Sequence, residues 1–364
     1  MHIRRPIERE RAARYLFTML LSFAAAVLLT RVFLELTGYP RIGGEKLHIA
    51  HVLWGGLIVA VGAALPLIYA NRFIYGLSAT LSGIGLGLFF DEVGKFLTQD
   101  NDYFFRPAAS IIYILFLLGL YAYLMVRRGE PDAQTRLHHV LAAMQEVADA
   151  DLDEREKAAL EDSLTHILAN ESAPHLHELA RTLLNFVRYE ADTVPVPSHP
   201  LAEWWRRANG WLDARVLTRQ STRWFLILGT TLLCVLSLVD LFSLVRAIRK
   251  PDQMAVLVGE WIARGGLTSA QEGIWFAVML GVNGVVGLSL LAALFMFAAG
   301  QDRQGIDFAL AGLLLSITVS NILLFYFEQF SAAVYVTANF AVILGLNFYN
   351  HRFLPQSIRR RERG

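Results

Sequence analysis

Eight stretches of this 364-residue chain are apolar over roughly the 20 residues needed to cross a bilayer core, and no other feature constrains its fold as much. In lipid every backbone amide must find its partner inside the protein, and a helix does so within its own segment. The runs lie at about residues 14–37, 47–70, 73–97, 105–126, 223–246, 272–299, 306–327 and 329–349, the last two forming a tight hairpin around Glu328. Composition agrees: 55% of residues are hydrophobic and 18% are charged, against about 25% charged in soluble domains. The expectation is an all-α polytopic membrane helical bundle of about eight transmembrane helices, with the lipid bilayer as its surroundings.

Lysine and arginine near the span ends set the orientation. Arg4, Arg5, Arg9, Arg11 and Arg14 precede the first span, and Arg127 and Arg128 follow the fourth. Arg219 and Arg223 precede the fifth, and Arg359, Arg360, Arg361 and Arg363 follow the eighth. Eight spans place all of them on one side, which makes both termini cytoplasmic. Arg246, Arg249, Lys250 and Arg264 run against this pattern. Four segments result: 1–127 with spans one to four, a small cytoplasmic helical domain at 128–221, 222–350 with spans five to eight, and a basic tail at 351–364. The Arg-rich start leads into a run too long for a cleavable signal.

Within 128–221, apolar residues recur at helical spacing: Leu137, Leu141, Met144 and Val147, then Leu160, Leu164 and Leu168, then Leu176, Leu179, Leu183 and Phe186. Pro195-Val196-Pro197 reads as a linker. Trp204, Trp205 and Trp211 among arginines read as a helix at the membrane surface, and residues 251–264 as a second interfacial helix. His138, His139, His166, His175 and His177 read as a solvated face, and the domain is a candidate surface for a cytoplasmic protein partner. A net charge of +1 gives no attraction to nucleic acid. The lone cysteine, Cys234, excludes an intrachain disulfide and any cysteine-based zinc or iron–sulfur site, and reads as a small core residue.

Ionisable groups at membrane depth are costly unless they pair or bind, so they mark candidate sites. They concentrate between His48 and Arg106. His48 and His51 share a helix face that continues through Gly55 and Gly62. In the third span Gly76, Thr80, Gly83 and Gly87 form a small-residue stripe ending at Asp91, with span two as the expected neighbour, while Glu92 projects toward another neighbour or the outer water. Convergence of His48, His51 and Asp91 at the outer face would suit a divalent metal such as zinc. Asp91, Glu92 and Lys95 are the candidate acid–base residues. A purely structural pairing of Asp91 with Lys95 is equally open. Asp100, Asp102, Tyr103 and Arg106 are candidate ligand-binding residues, with Arg106 pairing with an aspartate of that loop or clamping an anionic group.

The second half echoes the first weakly. Leu324-Phe325-Tyr326-Phe327-Glu328 parallels Leu88-Phe89-Phe90-Asp91-Glu92, and a four-plus-four duplication would set Glu272 and Glu328 on the same outer face. Asn283, Asn321 and Asn339 lie within spans and are expected to hydrogen-bond between helices.

The segments His48-Ile-Ala-His51-Val-Leu-Trp54-Gly-Gly and Phe90-Asp91-Glu92-Val-Gly94-Lys95-Phe96-Leu-Thr98-Gln-Asp100-Asn-Asp102-Tyr103-Phe-Phe-Arg106-Pro107 resemble an uncharacterised family of bacterial polytopic integral membrane proteins. The resemblance covers about 60 residues, implies the bacterial inner membrane and carries no activity across. The pattern departs from that of membrane hydrolases such as the alkaline ceramidases, whose histidine spacing differs and whose last spans carry a histidine pair. Three functions stay open: a membrane-embedded enzyme acting on a lipid or envelope substrate at the outer face, a transporter or channel for a small solute or ion, and a sensor or scaffold linking an outer ligand site to the helical domain.

Overall fold

The computed structural model describes residues 7–38, 51–99, 105–128, 133–148, 152, 154–170, 174–191, 193, 218–249 and 270–354. Among them there is no strand; the chain is an all-α polytopic helical bundle. The helices are α1 Ala12–Thr37, α2 His51–Ile68, α3 Arg72–Asp91, α4 Val93–Leu97, α5 Arg106–Arg128, α6 Ala133–Ala148, α7 Glu154–Asn170, α8 Pro174–Tyr189, α9 Arg219–Arg249, α10 Ala270–Ala298, α11 Asp302–Leu315, α12 Asn321–Glu328 and α13 Ala332–Phe353. A π-helical turn, Ser316–Ser320, joins α11 to α12, and a 3₁₀ turn, Gln329–Ser331, joins α12 to α13.

Seven segments are long and apolar enough to cross a membrane, and the last of them, Asp302–Phe353, has 52 residues. Drawn straight, it would reach about 78 Å at 1.5 Å per residue. Instead Asn339 Nδ2 lies 3.1 Å from Ser316 Oγ, so the segment doubles back as two antiparallel spans. The reversal sits at Gln329, whose φ of 51° and ψ of −133° lie outside the helical region, directly after Glu328. The third run, expected as one helix over 73–97, breaks at Glu92 (φ −92°, ψ 7°) into α3 and α4.

The chain divides into two compact units, residues 1–90 with 118–203, and residues 91–117 with 204–364. In the first, α3 carries small residues on two faces, and each receives a helix. A methyl group on Gly87 would stand 2.7 Å from Ala26 Cβ and 2.9 Å from the Phe23 carbonyl oxygen, so the Gly83/Gly87 stripe packs on α1. The expected partner, α2, uses the other face: Gly55 meets the backbone of Gly85 and Phe89, and Ser78 Oγ donates to the Gly62 carbonyl at 2.7 Å. Small residues permit close approach without saying which helix takes it. Gly83→Leu is expected to overpack α1 against α3, because even a Cβ there would sit 2.7 Å from Ser22 Cβ. It should cost about 1–3 kcal/mol and lower the melting temperature in detergent. Gly56→Leu, where nothing lies within 4 Å, should leave the melting temperature unchanged.

The same unit holds the helical module α6–α8, built on Leu137, Val140, Leu152, Leu160, Leu164, Ile167, Ala180, Leu184 and Val187. In α8 Ala180, Leu184 and Val187 are buried, and of the expected stripe Leu176 and Leu183 pack against them while Leu179 and Phe186 are exposed. Both stripes are apolar, and Ala180 lets α7 approach more closely than a leucine would. Within the unit the module is tied to the spans by charge. Glu156 accepts from Arg11 at 2.9 Å and pairs with Arg72 at 3.5 Å, and Arg72 also pairs with Glu10 at 2.5 Å. His139 and His177 hydrogen-bond the carbonyls of Glu8 and Leu168.

Candidate functional site

In the second unit, four helices change character at a common level. Near the Asp302 end, α9 to α11 and α13 bury Leu226, Leu233, Val286, Leu290, Ala293, Leu313 and Leu346 in a dense apolar core. Cys234 belongs to this core, its thiol directed at the Gly287 carbonyl 3.5 Å away. The end itself is closed by a charged clasp. Arg223 Nε is 3.0 Å from Asp302 Oδ1, Arg223 Nη2 donates to the Phe297 carbonyl at 2.5 Å, and the Tyr349 hydroxyl donates to Asp302 Oδ2 at 2.8 Å.

One or two turns further along each helix the buried residues become polar. Asn283 Nδ2 on α10 donates to Asp240 Oδ2 on α9 at 2.7 Å, and Ser320 Oγ donates to Asn283 Oδ1. Asn339 Nδ2 on α13 donates to Ser316 Oγ, whose hydroxyl is directed at Asn321 Oδ1 3.4 Å away. Ser237 and the Tyr335 hydroxyl, 3.3 Å apart, join α9 to α13 at the same level. Ser316, Ser320, Asn321 and Asn339 have no exposed surface. On α10 Asn283 stands midway, 13 residues from Ala270 and 15 from Ala298, whereas on α9 Asp240 stands nine residues from Arg249.

The π-helical turn supplies three of these groups. It contains Ser316 and Ser320 and ends at Asn321, whose amide bonds five residues back to the Ser316 carbonyl. A π turn disturbs the i→i−4 ladder and leaves carbonyls to be satisfied from outside. Tyr113 on α5 donates to the Ile317 carbonyl at 2.9 Å, and Ser110 donates to the Ile322 carbonyl at 2.8 Å. Two buried atoms of the layer make no hydrogen bond at all, Asn339 Oδ1 and Asn321 Nδ2. An unmet amide atom in the interior costs about 1–3 kcal/mol, so its retention calls for an explanation.

Toward the other end a thinner apolar layer follows, in which Phe276 and Phe327 pack edge to face at 5.5 Å beside Met279 and Leu280. Beyond it Glu272 accepts from Arg106 Nη1 at 3.4 Å and from the Tyr326 hydroxyl at 3.2 Å. The polar layer is thus held between a thick apolar barrier and a thin one, with charged groups outside each.

The residues singled out in sequence fall as follows. His48, Asp100, Asp102 and Tyr103 lie outside the described residues. His51 opens α2 in the first unit, and Asp91 closes α3, buried, in the second. Glu92 does not face outer water; it is fully buried, and Lys95 Nζ reaches it at 2.5 Å. The two stand three residues apart, a pairing not foreseen for Lys95. Arg106 finds Glu272 from the far half of the chain, a partner its own loop could not reveal. Asn283 and Asn339 do bond across helices as expected. Asp240 was missed. Its signal was available: a single carboxylate inside the apolar run 223–246, where such a residue is expensive.

No family model, no curated protein and no solved structure matches this chain.

Proposed function

We propose that this chain is a carrier that moves a small polar solute or ion across the membrane, binding it in the layer around Asp240, Asn283, Ser320 and Asn339. The observation that carries this reading is a carboxylate-bearing polar layer inside the spans, with two unmet amide atoms and an apolar layer on each side. A channel needs a continuous wet path; a carrier needs a midplane site closed at each end in turn, and such sites form where helices depart from regular geometry. The π turn at Ser316–Ser320 and the reversal at Gln329 are departures of that kind.

On this reading Phe276 and Phe327 form the thin gate, with Arg106, Glu272 and Tyr326 as its polar mouth. The Arg223–Asp302–Tyr349 clasp closes the thick side. Arg219 and Arg223 at the start of α9 support a cytoplasmic position for that side in a bacterial cell. Glu272 then faces outward, on the side where the sequence places the His48–Arg106 segment.

Reconstituted in proteoliposomes, the protein is expected to drive uptake of at least one labelled small solute from a panel of cations, amino acids and organic acids. Asp240→Asn, which keeps the side chain's shape and its capacity to bond Asn283, is expected to reduce that flux at least tenfold. A panel-wide absence of flux, or an Asp240→Asn variant as active as the parent, contradicts the proposal.

A further inference from the structure

We infer that the polar layer binds a monovalent alkali cation. The inference rests on reading that layer as a carrier site and names what occupies it. Asp240 contributes one negative charge, and the remaining groups of the layer (Asn283, Ser316, Ser320, Asn339, Tyr335 and Ser237) are neutral. Charge deep in an apolar interior is tolerated when it is balanced, and one carboxylate balances one positive charge. A divalent ion would leave an excess charge, and calcium draws on six to eight oxygens that commonly include several carboxylates. Among the described residues, no three histidine, cysteine, aspartate or glutamate side chains come together to hold a metal, which argues against a transition ion. An anion would meet the Asp240 carboxylate.

The unmet Asn339 Oδ1 points to the same class of ligand. It is a carbonyl oxygen, fully buried and without a donor, on a side chain that bonds Ser316, four residues before the Ser320 that bonds Asn283. A hard cation is satisfied by such oxygens and needs no hydrogen-bond donor. The Asn283 amide fits as well: its nitrogen is committed to Asp240, and its oxygen receives Ser320. Rotation of the Ser320 hydroxyl would release the Asn283 oxygen and free a lone pair of its own for an ion. Glu328, at the α12 terminus, is exposed at the mouth eight residues beyond Ser320; its charge and that of Asp240 repel one another, which adds to the demand for a positive ion.

The test is thermal unfolding of the full-length protein in detergent at constant pH and ionic strength, with choline chloride replaced stepwise by NaCl, LiCl or KCl, and separately by CaCl₂ or MgCl₂. The expected result is a saturable rise in melting temperature with one of the alkali ions. The rise should be absent in Asp240→Asn and its midpoint shifted at least tenfold in Asn339→Ala. Should Asp240→Asn fail to yield monodisperse protein, Asn339→Ala and Ser320→Ala carry the test. Stabilisation by a divalent ion alone, an alkali effect that persists in all three variants, or dependence on pH with none on alkali ions overturns the inference. The carrier reading fails separately: alkali binding without any solute flux removes the carrier and leaves the cation site. Flux that is indifferent to alkali ions removes the cation and leaves the carrier.

Discussion

Asn283→Leu is expected to destabilise the second unit by about 2–3 kcal/mol, far beyond what the loss of one ordinary side-chain contact would do. Asn283 Nδ2 is the donor to the Asp240 carboxylate, and Asn283 Oδ1 is the acceptor for Ser320, so one substitution strips a charge and a hydroxyl of their partners together. Asp240 is half-buried, and removing its partner leaves the carboxylate poorly solvated and unanswered, which costs more than the pair itself contributes. The part of the cost due to the stranded charge should therefore vanish when that charge is removed. Asn283→Leu combined with Asp240→Leu is expected to be more stable than Asn283→Leu alone, retaining only the loss from the unpartnered Ser320 hydroxyl, about 1 kcal/mol, since replacing both members of a pair by apolar groups can be nearly neutral. Thermal unfolding of the two single variants and the double gives the coupling directly. An additive double variant, with the two losses summed, would mean that Asp240 is satisfied by something other than Asn283.

Asn339→Ala should behave in the opposite way, with little effect on stability and a large effect on function. The substitution gives up one hydrogen bond, from Nδ2 to Ser316, and at the same time removes the unmet Oδ1. The first is worth about 0.5–1.5 kcal/mol and the second costs the folded protein about 1–3 kcal/mol, so the two offset to within about 1 kcal/mol. Were Asn339 there to hold α13 against the π turn, its loss would read as a fall in melting temperature. As a ligand oxygen, its loss reads as at least a tenfold fall in flux with the melting temperature nearly unmoved. Sites kept for function at the expense of the fold show this separation.

The apolar runs made the spans legible, because length and hydropathy are local properties. The hairpin at Glu328 and the three-helix module at 133–191 were readable for the same reason. Helix partners were harder. The Gly83/Gly87 stripe was visible in α3, but small residues line a second face too, and only packing decides that α1 takes one and α2 the other. The break at Glu92 has no proline or glycine to announce it within Asp91-Glu92-Val93, and Lys95 pairs there with Glu92. The polar layer was the least legible part, since no two of its helices contribute neighbouring residues. Asp240, Asn283, Ser320 and Asn339 are scattered over 100 positions of sequence and become a site only when four helices align. The π turn that gathers Ser316, Ser320 and Asn321 leaves no pattern that residue spacing can show. Charges cluster in sequence in the His48–Arg106 segment instead, and Arg106 there reaches the far half of the chain through Glu272.

The central claim is that the layer around Asp240 is reached by water and solute in the working protein and is not a dry set of interhelical bonds. Ser320→Cys in a Cys234→Ser background places the one thiol of the chain in that layer, since Cys234 is the sole native cysteine. The direct measurement is modification of this thiol, in intact membranes, by a small, cationic, water-soluble thiosulfonate. The account predicts modification within minutes under native conditions, slowed by the alkali ion that stabilises the protein. A thiol that stays unmodified in the membrane and reacts only after denaturation would contradict it.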